Sequence, residues 1–405
     1  MLAGAVRCAK VVFEIVGQSG GKMRITEVNA YLVGLRNRNL PLVRIETDEG
    51  IHGIGEAFSV GPDLATIEVI RYLGEWLVGR DPLDLEGLWQ LMYNGSRFPG
   101  GSLINAAISG IEHALWDIKG KAYGLPVYQL IGGKCRDKVR VYQSIGGNTP
   151  QELADNALML VEKYGYTGLK MFPFPRGERL WHDMGMTAWL KGAEARVRAV
   201  RESVGDDVDI GLDAHAQAFE PAKALALCRM LEPYHPLFLE EPLRPENRAS
   251  MGYLRARSPI PIATGETLYT KFEFRDLLAV GGADIIQPDV TITGGLWEMK
   301  KIAAMAEAEY VVVAPHNPCG PVATAVNVHF ALSTQNFLIL EYHPDDVPAR
   351  RELVDEPMVL EDGYLLPPTR PGLGLDINLE ACQTHEYKAW HRPFLWREDG
   401  SFGYQ

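Results

Sequence analysis

A closed barrel of parallel β-strands and helices, joined to a separate α+β domain, is the fold class this sequence predicts, and three observations predict it. From about Val139 onward, short apolar runs alternate with helical stretches such as "ELADNALMLVEKYG" and "MKKIAAMAEAEY", the rhythm of repeated βα units. Seven apolar runs each end in one ionisable residue: Lys170, Asp213, Glu240, Glu266, Asp289, His316 and Glu341. From Asp213 the intervals are 27, 26, 23, 27 and 25 residues, the length of one strand, one helix and two loops. A closed barrel gathers such strand ends at one mouth, where barrel enzymes carry their chemistry.

Four stretches follow in order. Residues 1–22 read as a disordered extension or a misplaced start, since Lys10 and Glu14 interrupt any signal-like apolar run. Residues 23–138 read as the α+β domain. "MRITEVNAYLVGL" is a first strand, "PLVRIETDEGIHGIGEA" two strands turning at Asp48-Glu49-Gly50, and residues 105–133 an amphipathic helix ended by Gly124 and Pro126, then a short helix. Residues 139–355 form the barrel. Residues 356–405, with "PPTRPGLGLDI", form a turn-rich tail that packs back on the first domain.

Bulk properties narrow the function. The 405 residues are 46% hydrophobic, enough for a large core, and carry a net charge of −12. An acidic chain lacks the basic face that nucleic acid or an anionic membrane requires. No stretch approaches the roughly 18 consecutive apolar residues of a membrane span. The five cysteines, Cys8, Cys135, Cys228, Cys319 and Cys382, are widely spaced and form no CxxC pair, so a reducing, cytoplasmic setting is expected.

In "VDIGLDAHAQAF", Asp213 and His215 share one face at the end of a core strand. Taken alone, they read equally as a helix cap beside a core histidine. Their place in the series points to chemistry instead, because Glu and His are poor N-caps. Asp213, Glu240 and Glu266, on three successive strands, are hard oxygen donors suited to Mg²⁺ rather than zinc. Glu241 is the alternative to Glu240. Lys170 adds positive charge for a substrate carboxylate. Asp289 behind His316 orients the imidazole as a general base for a proton next to that carboxylate. Glu341, if protonated, is a donor to the developing enolate oxygen, and His215, several strands from His316, is an acid for a leaving hydroxyl.

The motifs "LDAH", "FLEEP", "IATGE", "IIQPD", the Gly294-Gly295 pair and "APHNPCGPVA" together resemble the enolase superfamily, mandelate racemase subgroup, over nearly the whole chain from Met23. "LEPYHPLFLEEPL" and "IAAMAEAEYVVVAPH" are most similar to the galactonate and gluconate dehydratases. The resemblance implies a modified (β/α)7β barrel under a capping domain completed by the tail. It implies Mg²⁺ on Asp213, Glu240 and Glu266, the Asp289–His316 dyad as base, and His215 as acid. The reaction implied is dehydration of an aldonate, such as galactonate or gluconate, to its 2-keto-3-deoxy acid, in an enzyme that is often a homo-oligomer.

One departure bears on mechanism. Many relatives carry a Lys-x-Lys pair on the second barrel strand, whereas this chain has Lys170-Met171-Phe172. The missing second lysine favours one-base elimination over two-base racemisation, and Phe172 makes the pocket more apolar. Racemisation, epimerisation or cycloisomerisation on the same site is the alternative; a noncatalytic sugar-acid-binding barrel and a metal hydrolase are others. Residues 172–190 are a candidate lid. Ser59 and Arg97 are candidate readers of the far end of the substrate. His113, His182 and His343 read as core or loop histidines, His343 being the strongest of them for function.

Overall fold

The first strands of the chain build an antiparallel sheet, β1 (Ile25–Gly34), β2 (Asn39–Thr47) and β3 (His52–Glu56), with the β2–β3 turn at the expected Asp48-Glu49-Gly50. This computed structural model describes residues 22–35, 38–175, 183–344, 348–390 and 394–403. Helices α1 (Asp63–Leu77), α2 (Leu85–Gly95), α3 (Ser102–Tyr123) and α4 (Val127–Leu130) follow. Gly124 ends α3 in the left-handed conformation, φ 66°, the backbone state glycine adopts without strain.

Helix α3 departs from the amphipathic pattern expected of it. It is buried on nearly every side from Asn105 to Ile118, because it lies between the three-stranded sheet and the barrel. Its polar residues face protein, and they are therefore hydrogen-bonded rather than solvated.

The barrel then runs β4 (Val139–Ser144), α5 (Pro150–Tyr164), β5 (Gly168–Met171), α6 (Met186–Val204), β6 (Asp209–Asp213), α7 (Pro221–Leu231), β7 (Phe238–Glu240) and α8 (Arg248–Arg255). It continues through β8 (Ile262–Thr264), α9 (Thr270–Ala279), β9 (Ile285–Ile286), α10 (Leu296–Ala308), β10 (Val312–Val313), α11 (Pro321–Leu332) and β11 (Leu340–Glu341). The strands pair in parallel from β4 to β10, and β11 pairs with β4. A parallel bridge from Val313 to Phe337 closes the ring, giving the expected (β/α)7β barrel.

The local sequence explains the helix starts. Thr149 and Glu152 form a reciprocal capping box on α5, and Pro stands at the start of α5, α7 and α11. Beyond β11 come α12 (Pro348–Arg351), a hairpin of β12 (Leu360–Glu361) and β13 (Tyr364–Leu365), and α13 (Leu379–Thr384). The hairpin pairs antiparallel with the start of β4, so the first part of the tail packs on the barrel. The rest returns to the α+β domain. Leu373 N–H donates to Asp117 (2.8 Å), Gly34 N–H to the His385 carbonyl (3.0 Å), and Asn39 Nδ2 to the Lys388 carbonyl (3.0 Å). Among the described residues, no helix is long and apolar enough to cross a membrane, and Cys135, Cys228, Cys319 and Cys382 are free thiols.

Candidate active site

The parallel register sets the strand ends side by side. Ser144 pairs with Lys170, Lys170 with Gly211, and Asp213 with Glu240. A cavity of about 540 Å³ opens over them. Lys170, Phe172, Asp213, His215, Glu266, His316, Glu341 and His343 line it from the barrel, and Arg38, Phe58, Val60 and Ser102 from the α+β domain. Of the residue series read from the sequence, Lys170, Asp213, Glu266, His316 and Glu341 line this chamber, while Glu240 and Asp289 lie behind it against Lys170 and His316.

Lys170 is the hub of the floor. Its ammonium lies 3.1 Å from Asp213 Oδ2, 3.0 Å from Glu240 Oε1 and 3.1 Å from Glu341 Oε1, all four side chains being buried. Burial works against its charge, but the three carboxylates hold the lysine pKa well above its usual value. It is a fixed cation, not a base. Burial and the adjacent Asp213 push Glu240 well above the carboxylate range, although Gln287 Nε2 donates to it (2.8 Å). Against its burial, Lys170 and His215 hold Asp213 well below that range.

Glu341 lies beside Lys170 at the end of β11. Burial raises its carboxyl, but Lys170, His316 and His343 together bring it down to about 2, and the Asn317 N–H donates to it (3.1 Å). These neighbours favour its ionised form, whereas the expected donor role toward an enolate oxygen calls for the protonated one. The donor the structure supplies nearby is Lys170.

The two histidines stand apart as expected. His316 Nδ1 lies 2.8 Å from Asp289 Oδ2, while Asp289 Oδ1 accepts from the Thr291 amide (2.8 Å) and hydroxyl (2.5 Å). The held Nδ1 leaves Nε2 free to act, 3.5 Å from Glu266 Oε2. Burial lowers the His316 pKa, yet Glu266, Asp289 and Glu341 carry it up to about 10. His215 Nε2 lies 3.1 Å from Asp213 Oδ2, which raises its pKa, and Phe172 stacks on its ring at 5.7 Å. His215 sits at φ 46°, a left-handed conformation costly for a histidine and of the kind that collects at functional sites.

Glu241, the alternative to Glu240, turns to the other side. One of its oxygens accepts from Thr264 Oγ1 (2.6 Å) and the Gly265 amide (2.9 Å), and the other is buried without a partner. Asp213, Glu240 and Glu266 therefore remain the hard-oxygen set on neighbouring strands. Among the described residues no three His, Cys, Asp or Glu side chains are gathered closely enough to hold a metal, and the Lys170 ammonium contacts both Asp213 and Glu240. The donor chemistry still fits a hard cation, and the mutual crowding of Glu240 by Asp213, Glu266 and Glu341 is the imbalance such a charge relieves.

Other expectations resolve individually. His113 is a core histidine, fully buried, 3.2 Å from the Val290 carbonyl. His343 lines the cavity, 3.9 Å from Glu341, and burial takes its pKa down to about 4. His182 lies outside the described residues, as does the middle of the 172–190 segment. Ser59 bonds Asp63 (2.9 Å) and Arg97 lies over Phe98, so neither lines the chamber. Their neighbours Phe58, Val60 and Ser102 do, together with Arg38, which no periodicity marked. The loop after His316 is held from three directions: Arg38 donates to the Pro318 carbonyl (2.7 Å), Arg350 to the Cys319 carbonyl (2.7 Å), and Gly320 N–H to Glu56 (2.5 Å).

Comparison with known proteins agrees with this architecture. Residues 26–132 match the mandelate racemase/muconate lactonizing enzyme N-terminal domain, and residues 152–381 the enolase C-terminal domain-like family. The chain belongs to the enolase superfamily. Among curated superfamily relatives, the D-galactonate dehydratase of Verminephrobacter eiseniae is 38% identical, the alignment covering 94% of this chain and 99% of the relative. That of Pectobacterium atrosepticum is 38% identical over 93% and 98%. A solved superfamily structure from Agrobacterium radiobacter, a candidate galactarate dehydratase bound to Na and L-malate, superposes with a TM-score of 0.90 at 40% identity, covering 94% of this chain and 100% of that one.

Proposed function

We propose that this superfamily member is a Mg²⁺-dependent sugar-acid dehydratase, a carbon–oxygen hydro-lyase that converts a 2,3-dihydroxy acid to its 2-keto-3-deoxy acid. The carrying observation is the placement of two separately oriented histidines, His316 on Asp289 and His215 on Asp213, in one chamber with a buried cationic lysine. Likeness to D-galactonate dehydratases over nearly the full chain supports the reaction class and makes galactonate and gluconate the first aldonates to try.

Asp213, Glu240 and Glu266 are the residues that would hold Mg²⁺, whose charge stabilises the negative charge developing on the substrate carboxylate. Lys170, fixed by three acids, hydrogen-bonds a carboxylate oxygen and remains charged throughout. His316 takes the C2 proton through Nε2, with Nδ1–H donated to Asp289. Glu266, the foremost carboxylate raising its proton affinity, is among the residues that would hold the cation, whose charge would offset that pull. His215, whose hold on a proton Asp213 strengthens, donates to the C3 hydroxyl, which leaves as water, and the enol tautomerises to the keto acid.

Proton NMR in D₂O with Mg²⁺ and a panel of aldonic and aldaric acids tests this. The expected result is a new C3 methylene; His316→Asn abolishes C2 exchange, and His215→Asn permits exchange but blocks dehydration. Deuterium entering C2 with the skeleton intact would reassign the chain as an epimerase or racemase, and full activity in both variants would refute the site.

A further inference from the structure

The chamber has a second polar feature, on its roof. Arg38 stands just before β2 and reaches across to the barrel, where Nη1 donates to the Pro318 carbonyl while the side chain lines the cavity. A guanidinium carries five N–H donors, and among the described residues that carbonyl is its only side-chain acceptor. No carboxylate among the described residues pairs with it, whereas Lys170 on the floor has three. Of the other cavity-lining residues from the α+β domain, Phe58 and Val60 have no side-chain acceptor and Ser102 has a neutral hydroxyl. A half-buried cation with unused donors facing a chamber of this size is placed to take an anionic partner.

We infer that Arg38 anchors a second carboxylate subsite, so that the substrate is an aldarate, a sugar acid with a carboxylate at both ends, rather than an aldonate. The inference rests on the dehydratase reading above. One carboxylate goes to the floor beside Lys170, and the other to the roof. A planar guanidinium matches a carboxylate through two parallel hydrogen bonds, which is why arginine rather than lysine suits this position. The charge count also favours a carboxylate over a phosphate. Apart from the histidines, Arg38 is the one cationic side chain lining the roof among the described residues, so it offers a single fixed positive charge.

Kinetics with Mg²⁺ on galactarate against galactonate, and on glucarate against gluconate, test it, since each pair differs only at C6. For the preferred pair, kcat/KM of the diacid exceeds that of the monoacid by about 10- to 100-fold. Arg38→Gln lowers that ratio by at least about 10-fold, and Arg38→Lys retains part of it. A preference for the monoacid, or an equal fall on both members in Arg38→Gln, overturns the subsite. If no acid is dehydrated, the dehydratase reading is what has failed, and calorimetric titration of galactarate and galactonate into the Mg²⁺-loaded protein still decides. Tighter diacid binding that Arg38→Gln abolishes supports the subsite; equal affinity, or no binding of either acid, refutes it.

Discussion

Two sets of buried carboxylates divide the labour in this protein. At the seam between the α+β domain and the barrel, Glu112 on α3 accepts from the Leu296 and Trp297 amides at the start of α10 (2.8 and 2.9 Å) and from Trp116 Nε1 (2.7 Å). Glu56, at the end of β3, accepts from the Gly320 and Ala323 amides at the start of α11 (2.5 and 3.0 Å). Each places a negative charge on a helix N-terminus. Each is admitted by a glycine, since a Cβ on Gly295 would lie 2.3 Å from Glu112 Oε2, and one on Gly320 2.6 Å from Glu56 Oε2. In the chamber, by contrast, Asp213, Glu240 and Glu341 share one lysine. Burial of an acid is therefore not in itself a mark of function. Acids satisfied by amides join domains, and acids crowded around a single cation are prepared for a further charge.

The largest effect expected from this contrast is a separation of activity from stability. Asp213→Asn is expected to lower kcat/KM by at least about 10³-fold while leaving the melting temperature within a few degrees, because buried like charges are relieved. Glu112→Ala does the reverse, costing about 2–3 kcal/mol in a denaturation experiment with kcat of the folded protein changed less than about 3-fold. If both variants lost the same property, the division would collapse.

Next comes cation binding. Mg²⁺ at roughly 100 times its dissociation constant should stabilise the fold by about 2.7 kcal/mol, read as a rise in melting temperature that EDTA reverses. Glu240→Gln should lose the rise, and Glu112→Ala keep it.

The smallest effect is in the pH profile of stability, where two buried sets oppose each other. Burial pushes Glu56 and Glu112 up to about 7, above the unfolded value, so their ionisation disfavours the fold and stability falls as pH rises from about 4.5 to 7. Burial takes His113 and His329 down to about 4, so the stability present above about 6.5 is lost as pH falls toward 4. The wild-type profile between these limits is accordingly shallow. Glu56→Gln should steepen its acid limb, and His329→Asn, which keeps an acceptor for the Tyr128 amide, should flatten it. Unchanged slopes in both would show that these groups titrate normally.

Much of the candidate site was legible in advance because strand ends in a barrel must converge: the ionisable strand ends from Lys170 to Glu341, evenly spaced from Asp213 onward, pointed to one mouth. The pairing of Glu341 with Lys170 was not legible, since the two meet 3.1 Å apart across β4. Nor were the seam acids. Glu112 reads as the polar face of an amphipathic helix until α3 is found enclosed on both sides.

The sequence by itself determined the barrel, its order of strands and the residue types at its mouth, because apolar periodicity and strand-end chemistry are local properties repeated along the chain. Only the tertiary structure decided which acids are joints and which are tools, that Glu241 turns away while Glu240 faces Lys170, and that Arg38 reaches over the chamber. Those outcomes depend on partners 23 to 280 residues distant, from Thr264 and Gly265 at Glu241 to Pro318 at Arg38, and no local pattern encodes the electrostatic company a side chain will keep.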